Sequence, residues 1–224
     1  MGLTVAAFTP DSITIGTDSH AEVKNTNEGY FITDSEKLFV MNDRFLVAIE
    51  GNTFQDGLPI SYYMHQESIR QWNGNQTKDL ARFLVDQLSA MFPIENMVIY
   101  TAGYDSEDTG MLPKVYMINN GRIELINIAQ DGKCVYNYHA IGRTHWINKL
   151  IMQTRADIGS DSIEFPSCEI DFSKYSSRMG KEFVCSMLEL SEKMDRLSQV
   201  RPSIGEKYQI AVIRPFSKIE IEIC

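Results

Sequence analysis

The sequence predicts an α+β protein built in layers, with two central antiparallel sheets between outer helical layers. Three observations predict it. Short apolar runs separated by turns fill the first fifty residues, which is the signature of strands. The hydrophobic period then switches to a helical one twice and returns each time. The resulting order is four strands, two helices, four strands, a group of helices and two strands, which sets helices outside sheets. A doubly wound parallel sheet fits less well, because the helices come in groups between runs of strands.

The first hairpin joins Gly2 to Phe8 and Ile13 to Ala21 across a turn at Thr9-Pro10-Asp11-Ser12. A second joins Glu36 to Met41 and Arg44 to Gly51 across Asn42-Asp43, residues with turn chemistry of their own. Asp18 to Asp34 is polar and reads as a long loop. Gly57 to Trp72 carries Leu58, Tyr62, Ile69 and Trp72 at helical spacing and ends at Asn73-Gly74-Asn75. Thr77 reads as the N-cap of the next helix, with Asp79 in its first turn and Leu80, Phe83, Leu84, Leu88 and Met91 on one face. Strands follow at Met97 to Tyr104, Lys114 to Asn119, Ile123 to Ile128 and Cys134 to Ile141, with a hairpin turn at Asn119-Asn120-Gly121. A helix opens at Gly142-Arg143-Thr144 and runs through Trp146, Leu150, Ile151 and Arg155. Gly159 to Ser173 reads as an irregular insert, and Arg178 to Leu197 as a long helix with a broad apolar face. Tyr208 to Ile213 and Ile219 to Ile223 close the chain. No repeat or linker interrupts residues 1–224, so a single domain is expected.

Composition narrows the function classes. The apolar content of 43% over 224 residues supports a sizeable core. With 30 acidic and 21 basic residues the net charge is −9, which argues against nucleic acid or an anionic membrane as the main partner. No apolar run approaches the ~20 residues that span a bilayer, and the start has no signal-peptide pattern. The cytoplasm is the expected compartment. Cys134, Cys168, Cys185 and Cys224 are widely spaced and read as free thiols. His139 and His145 lack a neighbouring acid or cysteine at ligand spacing, so neither a metal nor another cofactor is expected. Asp18-Ser19-His20 has the residue types of a triad, but neighbours on an extended chain face opposite ways, so a turn motif is the better reading. Tyr62-Tyr63-Met64 is open to two readings, core or subunit contact.

The motifs of the first fifty residues resemble those of proteasome β-type subunits and the related bacterial peptidase rings, which are N-terminal-nucleophile (Ntn) hydrolases. Thr4-Val5-Ala6-Ala7-Phe8 followed by Ile13 to Ala21 is similar to the family's opening hairpin and its aspartate-serine-arginine-alanine turn. Glu36-Lys37-Leu38-Phe39 resembles its lysine-lysine-valine strand, and Leu46 to Gly51 its apolar strand ending in glycine. Lys37 and Gly51 stand 14 residues apart, as in the family. Ser203-Ile204-Gly205 resembles its serine-glycine-glycine segment.

The resemblance implies a four-layer αββα fold, a ring or half-ring of identical subunits, and a peptide as substrate in an active member. In such chemistry an N-terminal threonine hydroxyl attacks a carbonyl and its own α-amine takes the proton. A lysine tunes that amine, an aspartate orients the lysine, and a backbone N–H holds the oxyanion. By resemblance Lys37, Asp18 and Gly51 take the last three roles. Gly2 falls at the family's threonine position and brings no hydroxyl. Thr4 is the alternative nucleophile if the chain is cleaved between Leu3 and Thr4. Arg143 stands where the family has a serine, and Val200 where it has an aspartate. These departures favour a structural, binding or ring-forming component over an active hydrolase.

Overall fold

The computed structural model describes residues 2–25, 29–51, 53–55, 57–92, 96–108, 110–152, 155–158, 161–164, 170–198 and 204–224. Val200, Ser203 and Cys168 therefore lie outside the described residues. The chain opens on the hairpin β1 (Leu3–Thr9) and β2 (Ser12–Asp18), followed by β3 (His20–Asn25) and β4 (Gly29–Asp34). Next come β5 (Leu38–Met41), β6 (Phe45–Gly51) and the two-residue strands β7 (Phe54–Gln55) and β8 (Leu58–Pro59). Helices α1 (Ile60–Met64), α2 (Glu67–Arg70) and α3 (Thr77–Ser89) lead to β9 (Met97–Glu107), β10 (Gly110–Asn119), β11 (Arg122–Leu125) and β12 (Tyr138–Gly142). Helix α4 (His145–Ile147) runs into a π-helical turn at Asn148–Met152, and β13 (Arg155–Ile158) pairs with β14 (Asp161–Glu164). Helix α5 (Ser177–Leu197), β15 (Tyr208–Ile213) and β16 (Glu220–Ile223) complete the order.

Two five-stranded sheets organise these elements, with strand orders β12-β1-β2-β15-β16 and β11-β10-β9-β6-β5. Every neighbouring pair is antiparallel. The expected α+β class with two antiparallel sheets is therefore observed.

Strand parity sorts the side chains into three cores. Leu3, Val5 and Ala7 of β1 pack with Val184 and Leu188 of α5. Ala6 and Phe8 turn the other way and meet Leu46 and Ala48 of β6 and Tyr100 of β9, filling the space between the sheets. Phe45, Val47 and Ile49 face away from that space and pack with Leu80, Leu84 and Leu88 of α3. Both faces of β1 and β2 are covered, so every residue of either strand is buried. The buried Tyr100 hydroxyl is hydrogen-bonded to Nδ1 of His139 on β12, tying one sheet to the other.

Local departures from the sequence expectation have physical causes. The expected loop from Asp18 to Asp34 is the β3–β4 hairpin, paired from His20 with Asp34 to Asn25 with Gly29. Its backbone is satisfied by the ladder itself and needs no apolar alternation. The helix expected from Gly57 to Trp72 is split into α1 and α2, because Gln66 is extended at ψ 144°. Thr77 is the first residue of α3 and not its cap. Its N–H and its hydroxyl donate to Oδ1 of Asp105 on β9 at 2.8 and 2.7 Å, so a carboxylate from the sheet caps the helix. Arg155, expected in a helix, lies in strand β13, and part of the expected irregular insert is strand β14. The turn at Asn120-Gly121 is a two-residue hairpin with both φ angles positive, 51° and 73°, as expected. No helix among the described residues is long and apolar enough to cross a membrane.

Helix α5 docks where β2 has no side chain. A Cβ on Gly16 would lie 2.5 Å from Cγ1 of Val184 and 2.8 Å from Cδ1 of Leu188. Gly16→Val is expected to destabilise the protein by about 1–3 kcal/mol, measured as a lower urea midpoint at unchanged slope.

Candidate active site

The inter-sheet space is apolar along most of its length and polar at one end. On β6, Glu50 shares the face of Leu46 and Ala48, so it points between the sheets. It is 2% exposed. On β1, Thr4 shares the inward face of Ala6 and Phe8 and pairs directly with Thr17 of β2, to whose hydroxyl it donates at 3.1 Å. Its hydroxyl also lies 3.4 Å from Oε2 of Glu50. Asp18 ends β2, and Lys37 immediately precedes β5.

Lys37 is the centre of this cluster. Its side chain is 1% exposed, and its Nζ stands 3.1 Å from Oδ1 of Asp18 and 3.3 Å from Oε2 of Glu50. Burial by itself would favour loss of the proton. The neighbouring Glu50 and Asp18 carboxylates outweigh it and raise the Lys37 pKa above its ordinary 10.5. Each carboxylate is also held by backbone. Asp18 accepts from the N–H groups of Leu3 at 2.9 Å, Gly205 at 2.8 Å and His20 at 3.3 Å. Glu50 accepts from the N–H groups of Gly2 at 2.8 Å and Gly51 at 3.2 Å. The cluster thus holds one cation between two carboxylates, whose oxygens also accept from backbone N–H groups of four chain segments.

Residue 2 is clamped on all sides. Its N–H goes to Glu50, and its carbonyl accepts from Arg143 N–H at 2.8 Å. Gly142 makes this crossing possible: its φ is +88°, and a Cβ there would sit 2.2 Å from the Gly2 carbonyl oxygen. A Cβ on Gly2 itself would lie 2.0 Å from Oδ1 of Asp18 and 2.4 Å from Nζ of Lys37. No side chain fits at residue 2 unless the ion cluster opens. The Arg143 side chain reaches away, to Oδ1 of Asp195 on α5 at 3.5 Å.

All four site residues named from sequence, Thr4, Asp18, Lys37 and Gly51, thus gather at one end of the sheets. Gly51 has φ +111° and directs its N–H at Glu50. The residue that sequence reasoning missed is Glu50. Its signal was available: a charged residue on the inward parity of an otherwise apolar strand must be partnered if buried. Asp18-Ser19-His20 forms no triad. Ser19 donates to Asp34 at 2.9 Å, and only the backbone N–H of His20 meets Asp18. Among the described residues no group of three or more metal-ligating side chains converges.

Comparison with known proteins bears on the fold. No family model and no curated protein matches this chain. Among solved structures it is similar to Anbu (ancestral beta-subunit) from Yersinia bercovieri, with a TM-score of 0.61 and 14% identity over 99% of this chain and 86% of that one. It is also similar to Anbu from Hyphomicrobium sp. strain MC1, with a TM-score of 0.56 and 14% identity over the same shares. At 14% identity these likenesses show a fold shared with the Anbu structures. The resemblance to proteasome β-type subunits and bacterial peptidase rings is corrected by the same findings: the structural neighbours are Anbu proteins, and no family model supports the assignment. The motif spacings follow hairpins and strand ends, which belong to the fold, whereas family assignment needs the residues that the site has replaced.

Removing the central cation should leave two carboxylates buried without a counter-charge. Lys37→Met is expected to cost about 3–5 kcal/mol in urea unfolding, and Lys37→Met/Glu50→Gln less than the sum of the single changes. Because the folded pKa of Lys37 lies above the unfolded value of 10.5, its contribution is intact below that pH and is lost as pH rises through the folded value. Wild type should therefore lose stability more steeply than Lys37→Met on the alkaline side, measured by denaturation at stepped pH.

Proposed function

We propose that this chain keeps a proteasome-like Ntn-hydrolase fold without an N-terminal side-chain nucleophile and works as a structural, binding or ring-forming component. The observation that carries this reading is the glycine at residue 2, against which Asp18 and Lys37 pack so closely that a Cβ there would require the ion cluster to shift. Two further features support it. Lys37 is bound to two carboxylates, and the Gly51 N–H is directed at Glu50, where an oxyanion hole needs a donor left open. Asp18, Lys37 and Gly51 then hold the sheet ends together and take no part in bond cleavage.

The reading extends to architecture and assembly. Residues 1–224 form a single four-layer αββα domain, supported by three cores stacked between α3, the two sheets and α5. The protein is a homo-oligomer, ring or half-ring, in the cytoplasm. The name "ancestral beta-subunit" carried by the Yersinia neighbour supports a subunit role. Tyr62, 53% exposed on α1, supports a contact surface, whereas Met64 beside it is core. Cys134, Cys185 and Cys224 are unpaired thiols, as a reducing compartment allows.

A second reading is an active peptide or amide-bond hydrolase that uses Thr4 after cleavage at Leu3-Thr4. The 3.4 Å approach of the Thr4 hydroxyl to Glu50 favours it, since that carboxylate is placed to accept a proton. Its cost is the loss of Leu3, a fully buried residue whose N–H binds Asp18.

Intact mass and N-terminal sequencing of the purified protein, followed by treatment with a β-lactone probe, separate the two. The expected result is a chain that still contains Leu3 and forms no adduct. A chain beginning at Thr4 that is modified on Thr4 would overturn the first reading. Light scattering is expected to give a mass several times that of one chain; a monomer would remove the ring-forming part.

A further inference from the structure

The opposite end of the inter-sheet space carries a feature that the ion cluster does not explain. After β15 the chain turns through Arg214, Pro215, Phe216 and Ser217, with Ser217 N–H directed at the Arg214 carbonyl at 3.4 Å. Phe216 has φ +61° and is 90% exposed. After a proline in the second place of a turn, that left-handed position is normally given to glycine. A side chain there is strained against its own backbone, and an aromatic ring in water gains nothing from burial. Neither packing nor backbone preference accounts for phenylalanine at this position. A strained and exposed aromatic is a reason to look for what it touches.

Phe216 stands on a cleft of about 510 Å³ whose apolar wall is Tyr104, Met111 and Ile213. That size falls in the range of small-molecule sites. The polar lining is unusual for a chain of net charge −9: Arg44, Arg214 and Lys218 against the single acid Asp43. Arg214 is held in place, its Nε donating to Ser177 at 3.0 Å and its Nη1 to Glu220 at 2.6 Å. Arg44 lies over the Phe45 ring, 5.6 Å from its centroid. Arg44 and Lys218 have no carboxylate partner among the described residues. The cleft therefore combines an apolar wall, an exposed aromatic rim and two uncompensated cations.

We propose that this cleft binds a small amphipathic anion, a carboxylate or phosphate ester, with its apolar tail against Tyr104, Met111 and Ile213 beneath Phe216. The head group meets Arg44, Lys218 and the fixed guanidinium of Arg214, a geometry suited to an oxyanion. The site lies away from residue 2: Ile213 pairs with Ile13 at one end of β15, whereas Tyr208 pairs with Asp18 at the other. It stands whether or not the ion cluster is catalytic.

The test is calorimetric titration of the full chain with octanoate and with octyl phosphate, using octanol and inorganic phosphate as controls. At least one octyl anion is expected to bind saturably, and both controls about tenfold or more weakly. The better of the two anions identifies the head group. Arg44→Gln/Lys218→Gln is expected to weaken that anion by about tenfold. Phe216→Gly is expected to weaken it while raising Tm, because glycine relieves the backbone. Octanol binding as well as the anions, affinity unchanged in these variants, or no saturable binding of either anion would overturn the proposal. So would loss of oligomer mass in Phe216→Gly without any anion binding, which would make the cleft a protein interface.

Discussion

The Lys37 ammonium, held out of water between Asp18 and Glu50, is the interaction on which the rest of this end of the molecule depends. A single buried charge would be untenable, and a buried pair is neutral to stability at best unless its remaining valences are filled. Here they are filled by backbone N–H groups of residues 2, 3, 20, 51 and 205. These donors come from β1, β3, β6 and the segment before β15, so the cluster fixes where four chain segments converge. It also plugs the inter-sheet space, which is apolar beyond Thr4 and Thr17.

The same plug limits the chemistry. A side chain at residue 2 would have to displace the Asp18 carboxylate and the Lys37 ammonium from their present positions. An oxyanion at Gly51 would have to displace a carboxylate that the N–H groups of Gly2 and Gly51 and the Lys37 ammonium hold. Charge and packing act together here: the glycine at residue 2 admits the ion cluster, and the cluster then keeps residue 2 a glycine. At the far end the inter-sheet space opens into a cleft with the opposite charge balance, so the two ends of one layer offer different environments.

Much of the fold was legible because periodicity reports burial. β1, β2, β6 and β15 are apolar runs with both faces covered, and α3 and α5 carry their apolar residues on one side. The β3–β4 hairpin was not legible, since its ladder is made by backbone. The break in the first helical stretch depends on one extended residue, Gln66, which no pattern of side chains marks. The cap of α3 comes from Asp105, 28 residues further on, and a local reading gives that role to the nearest hydroxyl instead. Arg178 to Leu197 reads as a broad apolar face, yet Ser191, Glu192 and Asp195 are buried on its second half and Leu197 is exposed. There the helix meets Arg143 and not only the core.

By itself the sequence determined the order of elements, the antiparallel layered class and the residues that could gather at one end: Thr4, Asp18, Lys37 and Gly51. Strands and helices leave local periods that give the order of elements, whereas the four residues were singled out by the resemblance of their motifs to those of proteasome β-type subunits. The tertiary structure decided what those residues do to one another. Glu50 reaches Lys37 from the next strand of its own sheet, but only across the two sheets does it meet the N–H of Gly2, and only there is a side chain at residue 2 set against the ion cluster. Contacts between residues 48 apart leave no mark on local sequence, and they decide whether such a site has room for a nucleophile.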